Sequence, residues 1–578
     1  MRMAQVVVAM DDVGGTHAAL SLRMARSALV CVIALGCTGE PPVPPTPDAG
    51  AVAYLSPTEH LVRASMTLRG MRPSEEELAR VAVEPDALGA IVDAYLESPE
   101  FGSVMKDLHA ETLLVRIDLA GTTLRSKNGV ADRTAAEMST AFEEPLRLIE
   151  YVIEHDRPYS EIVTADYAIS DPITAVVWGM THSGSGEEVS HWLDGRPVAG
   201  ILSSSGLWAR HISAGANFHR GRANLISSAL LCFDFLHSDI MLDTTIDLAD
   251  PQVVANALVA NPSCAGCHQT LDPLASTLRG FQFGARYANY PVEMWRQQWV
   301  DEWDASSSSH RPAAYFGQQA QTAVDVGRRI AADPRFPRCT AERFVSYFTQ
   351  VDREKVPFAW GARLAEQFVA SGMNAKQLAK DIVLSDEFRV SHVTEGASDE
   401  EAEALHGMLR TRPEQLDRLF EDLTGFRWMT SSTIEINNTP YGVANLLRGD
   451  FLGYRALAGG IDSYFVTRPT HTTNAVSSLL LRELARSAAG VVVEHDFTPG
   501  AQRTLLAIEE GERAPDAIRA EIARLHARVF GTLDAADSEA VTETYTLFAS
   551  VLAETGDARH AWRTTITAML SDLRVAYY

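Results

Sequence analysis

The stretch SPTEHLVRASMTLRGMRPSEEEL, residues 56–78, contains two helix starts separated by a tight turn. In the first start, Ser56 can cap a helix whose first position is a proline and whose third is Glu59. Such a pair satisfies backbone N–H groups that the first helical turn leaves without acceptors. Ser74 and Glu77 repeat the spacing, and the apolar residues between the two boxes follow a helical period. The stretch therefore predicts a helical hairpin.

The rest of the chain carries the same helical patterning, with few signals of β-strand. The clearest exceptions, VVVEHDF (491–497) and TIEINN (433–438), could equally be short helices or loops. With 578 residues, 46% of them apolar, the chain is long enough for several packed units. We therefore predict a mostly α protein, built as a multi-domain helical array.

The composition is acidic, with a formal net charge of −25. A surface of this sign repels phosphate groups instead of neutralising them. The composition therefore argues against nucleic acid and against anionic lipid surfaces as partners.

A secretion signal is indicated near the N-terminus. Two arginines, Arg23 and Arg26, precede the apolar run SALVCVIALG at 27–36. This run is too short to cross a bilayer, which needs about 20 residues, but it suits the apolar core of a signal peptide. We predict a signal peptide over residues 1–36, with Met24 as an alternative start of translation. The other interpretation is a buried helix at the start of a domain.

The residue that follows this run is Cys37, and ALGC at 34–37 resembles the cleavage box of bacterial lipoproteins. In that class of protein the cysteine is lipidated and becomes the mature N-terminus. The proline-rich segment 37–50 is typical of an extended tether. These features predict a lipid anchor at Cys37 on the outer or inner membrane, and a location in the periplasm or at the outer membrane of a bacterial cell envelope.

The segment NPSCAGCHQTLDPLA, residues 261–275, holds Cys264, Cys267 and His268 in the spacing C-x-x-C-H. Chance would produce such a string only about 0.002 times in a chain of this composition. In c-type haem attachment the two thiols bond to the vinyl groups of the porphyrin, and the adjacent imidazole binds the iron. The motif predicts one covalent haem c on Cys264 and Cys267, with His268 as the proximal iron ligand.

Two other kinds of site use paired cysteines. A structural zinc site needs four ligands, and the sequence shows no second closely spaced Cys or His pair. A thioredoxin-like redox pair needs its first cysteine where a strand meets a helix. Here VVANALVANPSC (253–264) indicates a helix followed by a proline turn. Both remain open as alternatives to haem.

Longer segments around the motif carry a family resemblance. GRPVAGILSSSGLWARHISAGANFHRGRANLISSALLC (195–232) and NPSCAGCHQTLDPLASTLRGFQFGARY (261–287) resemble the cytochrome-c-like domains of unknown function that abound in planctomycetes and myxobacteria. In those domains C-x-x-C-H is followed by an Asp-Pro-Leu segment and an aromatic turn, which Asp272–Leu274 and Phe281 match. The resemblance implies a central cytochrome-c-like domain.

The resemblance extends from about residue 51 to the C-terminus, because segments on both sides are similar to helical domains that flank such haem domains. Polar stretches at 181–188 and 394–404 indicate boundaries. The predicted domains are an N-terminal helical domain at 51–185, a cytochrome-c-like haem domain with a following helical segment at 186–395, and a C-terminal helical domain at 396–578.

A single haem motif favours electron transfer with a redox partner protein, since bacterial c-type haem peroxidases usually use a second haem. The sixth iron ligand is undetermined. His219, in NFHRGR, and Met294, in PVEMW, are the candidates, because imidazole and thioether are the usual axial ligands. A capping or surface histidine and a core methionine are the simpler interpretations, and an open site for a small molecule is a further alternative.

Two other functions fit the same sequence. The first is a non-redox scaffold or binding protein of the cell envelope, in which C-x-x-C-H is structural or haem is absent. The second is an enzyme that uses polar residues of YRALAGGIDSYFVTRP (454–469), although a tight glycine turn capped by aspartate is the simpler interpretation. The residues in question are Arg455, Asp462, Ser463 and Arg468.

Two of the six cysteines remain once Cys31 leaves with the signal peptide and the others take lipid and haem. They are Cys232 and Cys339. Because an oxidising cell envelope favours pairing of thiols, we predict a Cys232–Cys339 disulfide. The alternative is two separate buried thiols.

Overall fold

The structure is a computed structural model, and its described residues belong to one compact unit. It describes residues 52–117, 132–213, 217–237, 243–247, 249–281, 295–305, 311–394, 407–436 and 439–578. The predicted signal peptide, the tether, the lipid anchor at Cys37 and the candidate ligand Met294 lie outside these ranges.

Helices make up 58% of the described residues and strands 6%, which confirms the mostly α fold class. The first helices are α1 (Pro57–Arg69), α2 (Glu75–Val83), α3 (Leu88–Leu96), α4 (Pro99–Leu113), α5 (Ala135–Ser139), α6 (Glu144–Glu154), α7 (Glu161–Thr164) and α8 (Pro172–Trp178). The middle helices are α9 (Ser205–Trp208), α10 (Arg220–Leu231), α11 (Pro251–Ala260), α12 (Pro262–Ser276), α13 (Gln297–Ala305), α14 (Ala323–Ala331), α15 (Arg335–Thr349), α16 (Phe358–Ala370) and α17 (Ala375–Val383). The last helices are α18 (Pro413–Thr424), α19 (Tyr454–Leu457), α20 (Ala475–Asp496), α21 (Pro515–Phe530), α22 (Glu539–Thr555), α23 (Ala558–Leu570) and α24 (Leu573–Ala576). None of the helices in the described part of the chain is both long and apolar enough to cross a membrane.

In the same ranges the strands form short antiparallel pairs. The pairs are β1 (Val52–Tyr54) with β6 (Val390–Val393), β2 (Ala168–Ser170) with β3 (Glu188–Ser190), β4 (Ala314–Tyr315) with β5 (Gln318–Gln319), and β7 (Ile434–Ile436) with β8 (Thr439–Gly442). Of the two ambiguous segments, TIEINN contributes β7, whereas VVVEHD is the end of the long helix α20. The helical period of the preceding residues continues through those valines.

The opening hairpin has both of its expected capping boxes. The Glu59 amide donates to Ser56 Oγ at 3.3 Å, and the Ser56 amide donates to Glu59 Oε2 at 2.8 Å. Ser74 and Glu77 make the same reciprocal pair at 3.1 and 2.8 Å. Gly70 ends α1 with a φ of 72°, a left-handed conformation that glycine adopts without steric strain. The prediction of two helices and a turn is confirmed.

One continuous hydrophobic core connects the beginning and the end of the described chain, from Leu61 to Ala576. The strand pair β1–β6 joins segments more than 300 residues apart, with Val52 opposite Val393. Arg72, in the hairpin turn, donates to the carbonyl of Val529 at 3.1 Å. These long-range contacts hold the helices as one body, and the division into three domains stays a prediction.

A disulfide joins Cys232 to Cys339, with an S–S distance of 2.08 Å and a Cα–Cα distance of 5.3 Å. Cys232 caps the end of α10, and Cys339 lies in the first half of α15. The bridge spans 107 positions, which include the C-x-x-C-H motif. The predicted pairing is confirmed, and it connects the two helices that enclose the motif in sequence.

Candidate haem-attachment site

The C-x-x-C-H motif occupies the first turns of α12. The preceding helix ends at Ala260, and Asn261 caps α12 by accepting the Ser263 amide at 3.0 Å. Pro262 takes the first helical position, where the missing N–H of proline removes no hydrogen bond of the helix. The predicted helix and proline turn before the motif are confirmed. A thioredoxin-like site, in contrast, requires a strand at this point.

The three motif residues share one face of α12. Cys264, Cys267 and His268 follow the i, i+3, i+4 spacing of neighbours on a helix surface. All three side chains are half-buried, and both cysteines are free thiols. From Leu271 onward most of the helix is buried in the core. The motif therefore lies on an accessible face of a helix whose second half is firmly packed.

Asp272 holds the imidazole of His268 in one orientation. His268 Nδ1 lies 3.0 Å from Asp272 Oδ1, one turn later in the same helix. Arg220, at the start of α10, donates to both carboxylate oxygens at 2.6 and 2.9 Å. An ionised carboxylate only accepts hydrogen bonds, so the imidazole carries its proton on Nδ1. The lone pair on Nε2 is then the one available to a metal.

The charge of Asp272 is maintained by its partners. Burial alone raises the pKa of this carboxyl, but the hydrogen bonds from His268 and Arg220 outweigh burial and hold the pKa below its ordinary value. Asp272 is therefore a carboxylate at neutral pH. A charged acceptor at Nδ1 makes the imidazole a stronger metal ligand, as carboxylates do behind many metal-binding histidines.

His219, one candidate for the sixth ligand, is fully buried and immediately precedes Arg220. Arg222 Nη1 lies 3.0 Å from His219 Nδ1. A guanidinium only donates, so this Nδ1 accepts and the ring proton is on Nε2. The ring also contacts Phe218 and Trp303, with centroids 4.3 and 5.3 Å apart. A ligand role would require Arg222 to move away, and the assignment of either candidate stays a prediction.

A haem iron needs fewer protein ligands than a metal ion that is bound by protein side chains alone. Across the described ranges, no group of three or more His, Cys, Asp or Glu side chains converges to hold a metal ion. Haem iron takes its equatorial ligands from the porphyrin and only its axial ligands from the protein. The residues of α12 fit that requirement, since they offer two free thiols and one imidazole whose orientation is fixed.

The Gly-Gly-Ile-Asp-Ser segment forms a capped turn. Asp462 Oδ1 accepts the backbone amides of residues 464–466 at 2.8, 2.7 and 2.7 Å. Ser463 is buried, and its carbonyl accepts a hydrogen bond from Arg210. The simpler interpretation, a turn capped by Asp462, describes this segment.

The two arginines of that segment lie in different surroundings. Arg455 is buried and pairs with Glu414, with Nε 2.9 Å from Oε1. Arg468 is exposed and lines a separate cleft. Asp462 and Arg455 therefore have structural partners within the fold, whereas Arg468 belongs to another cleft.

Asp272 matches a family segment in the sequence, but its contact with His268 was not predicted. The i, i+4 spacing of the two residues was the available signal, because such neighbours meet on a helix. Arg220 comes from another helix, 52 positions away, and no local pattern points to it.

Comparisons with known proteins found no relative. No family model matches the chain, and neither the curated proteins nor the solved structures include a match. The chemical interpretation of α12 therefore rests on its own geometry and on the chemistry of its residues.

Proposed function

We propose that this chain is an exported, single-haem c-type cytochrome-like protein that is anchored by a lipid at Cys37 and acts in electron transfer. The supporting observation is the face of α12, where two free thiols and an oriented imidazole lie side by side. The proposal includes a cytochrome-c-like domain around that helix.

In this proposal, Cys264 and Cys267 would hold the porphyrin covalently and His268 would bind the iron through Nε2. The bound haem supplies a one-electron redox centre. The chain's own contribution is orientation: Asp272 accepts the Nδ1 proton and Arg220 fixes the carboxylate. Because the second half of α12 is packed in the core, Asp272 and the imidazole that it orients are held in a fixed position.

Electron transfer requires a partner protein in the same compartment. With a formal net charge of −25, the chain favours a partner whose docking face is basic, since complementary charge speeds encounter. The lipid anchor would keep the protein at the outer or inner membrane of the cell envelope, where c-type haem attachment takes place in bacteria.

The haem proposal is tested by expressing the full chain with c-type maturation genes and recording an alkaline pyridine spectrum. We expect a c-type band that is lost in the Cys264→Ala, Cys267→Ala double variant. Ser263→Ala is the matched control, because it changes the same turn of α12 without removing a thiol, and it should keep the band. A colourless wild-type protein would contradict the proposal and favour the non-redox scaffold.

Export and lipidation are tested separately by intact mass spectrometry of the mature protein. The expected mass lacks residues 1–36 and carries a lipid on Cys37, whereas Cys37→Ser should prevent both changes. A mature chain that retains residues 1–36 without lipid would overturn the export part and leave the haem part to its own test.

A further inference from the structure

A cleft of about 880 Å³ lies away from the α12 motif. Its walls come from α4, the end of α10, α15 and the segment 467–471, so each of the three predicted domains contributes. Binding sites for small molecules occur preferentially at such junctions. Four arginines line the cleft: Arg343, Arg353, Arg412 and Arg468.

Arg343, in α15, directs its side-chain donors to backbone carbonyls. Its Nε donates to the carbonyl of Ala229 at 2.8 Å, and a second donor reaches the carbonyl of Ser228. Within the ranges described, no carboxylate lies at ion-pair distance from this guanidinium. Burial lowers the pKa of Arg343 to about 10, which reflects the cost of keeping the charge out of water.

Arg412 lies on the same wall. Arg343 and Tyr347 are one turn apart in α15, and the Arg412 guanidinium stacks over the Tyr347 ring at 3.9 Å. It also donates to the Tyr347 carbonyl at 3.1 Å, so its plane is fixed. Its ion-pair partner is Glu111, with Nη1 3.5 Å from Oε1. Because burial raises the pKa of Glu111 to about 7, this carboxyl neutralises Arg412 only in part near neutral pH.

The rest of the cleft lining holds charges of both signs. Arg353 pairs with Glu354 at 2.7 Å, and Asp352 lies beside them on the lining. Asp234 also lines the cleft and pairs with its neighbouring histidine at 2.7 Å. Arg468 is exposed, and it makes no hydrogen bond or ion pair with the residues that the structure describes. Among the described residues, Arg343 and Arg468 therefore have no carboxylate at ion-pair distance, whereas Arg412 has Glu111.

We propose that this cleft binds a small molecule through an oxyanion, a carboxylate or phosphate group, held between Arg343 and Arg412 with Arg468 at the mouth. Guanidinium groups suit this chemistry because their planar donors match the oxygens of both anions. The bound oxyanion places a counter-charge at hydrogen-bonding distance from Arg343, which no carboxylate among the described residues does. The site uses none of the α12 residues, so it is independent of the haem proposal.

The test is isothermal titration calorimetry of the full chain at pH 7 and constant ionic strength, with inorganic phosphate in one arm and succinate in the other. We expect saturable binding in at least one arm, and the stronger arm identifies the oxyanion. Arg343→Gln should weaken that binding by about tenfold or more, since it removes charge-assisted hydrogen bonds. Arg363→Gln is the control. This exposed arginine pairs with Glu387 outside the cleft, so its replacement should leave the affinity for the anion unchanged.

Two further variants keep the test decisive if Arg343→Gln does not fold. Arg468→Gln changes an exposed side chain that makes no hydrogen bond or ion pair among the described residues, and it should weaken binding several-fold. Glu111→Gln removes the carboxylate that competes for Arg412 and should strengthen binding. Absence of saturable binding to both anions overturns the proposal. Equal affinity in wild type and Arg468→Gln, or weaker binding in Glu111→Gln, also overturns it.

Discussion

The Nδ1 atom of His268 lies 3.0 Å from Oδ1 of Asp272, and Arg220 from a second helix holds the same carboxylate with two hydrogen bonds. This relationship decides which imidazole nitrogen carries the proton and therefore which one a metal can use. The contact between Arg220 and Asp272 also links α12 to α10. The disulfide at the end of α10 then links α10 to α15.

Asp272→Asn is expected to raise the midpoint reduction potential of the proposed haem while attachment remains intact. An amide oxygen accepts the Nδ1 proton more weakly than a carboxylate, so the imidazole donates less electron density to iron. Spectroelectrochemical titration measures the shift. Asp234→Asn, which removes the partner of His237 outside the motif, is the control and should leave the potential unchanged. An unchanged potential in Asp272→Asn would show that this hydrogen bond does not tune the site.

Replacing Cys232 and Cys339 together by alanine is expected to lower the free energy of unfolding. The bridge closes 107 positions, and loop entropy alone gives at most about 4.7 kcal/mol for a loop of about 100 residues. Urea unfolding of oxidised wild type, reduced wild type and the double variant measures the loss, and the last two should agree. Peptide mapping without reduction should recover the linked pair. Recovery of both residues as alkylated free thiols contradicts the bridge.

The carboxyl of Glu144 makes the free energy of unfolding fall as the pH rises. This carboxyl is fully buried, and burial raises its pKa to about 7 although Ser204 donates a hydrogen bond to it. Because the folded pKa exceeds the unfolded value of about 4.3, the folded state binds the proton more tightly. The stabilisation that this proton provides is complete below the pKa of the unfolded state, and it is lost as the pH rises to about 7.

Glu144→Gln keeps an acceptor for Ser204 and removes the titration. Between about pH 4.5 and pH 7 its stability should fall less steeply than that of wild type, by at most about 1.4 kcal/mol per pH unit. Urea unfolding across this pH range measures both slopes. Glu366→Gln, at an exposed position, should follow the wild-type curve. Parallel curves for wild type and Glu144→Gln would rule out this role.

Asp462→Ala is expected to destabilise the protein by about 1–2 kcal/mol, because three backbone amides lose their shared acceptor. Asp462→Asn keeps an acceptor oxygen and should lose less. Thermal unfolding compares the three proteins. If Asp462→Ala is as stable as wild type, the side chain does not hold the turn, and the enzymatic interpretation of this segment regains interest.

Local chemistry made part of this protein predictable. The capping boxes at Ser56 and Ser74 act within one helical turn, so the residues that make them are also neighbours in the sequence. The spacing of Cys264, Cys267 and His268 likewise specifies one helix face. The Cys232–Cys339 pair was predicted from the oxidising compartment that a signal peptide would imply. The two possible strands were ambiguous because short apolar runs fit a helix and a strand equally well.

The sequence by itself determined the mostly α fold class, the helix starts and the chemistry that the C-x-x-C-H motif can support. Only the tertiary structure decided that Asp272 and Arg220 orient His268, and that Arg222 occupies the lone pair of His219. Only packing, too, brings Arg343 and Arg412 to one wall. The physical reason is the range of the interactions: caps and helix faces depend on residues within a turn or two, whereas these side chains meet because the whole core positions separate helices.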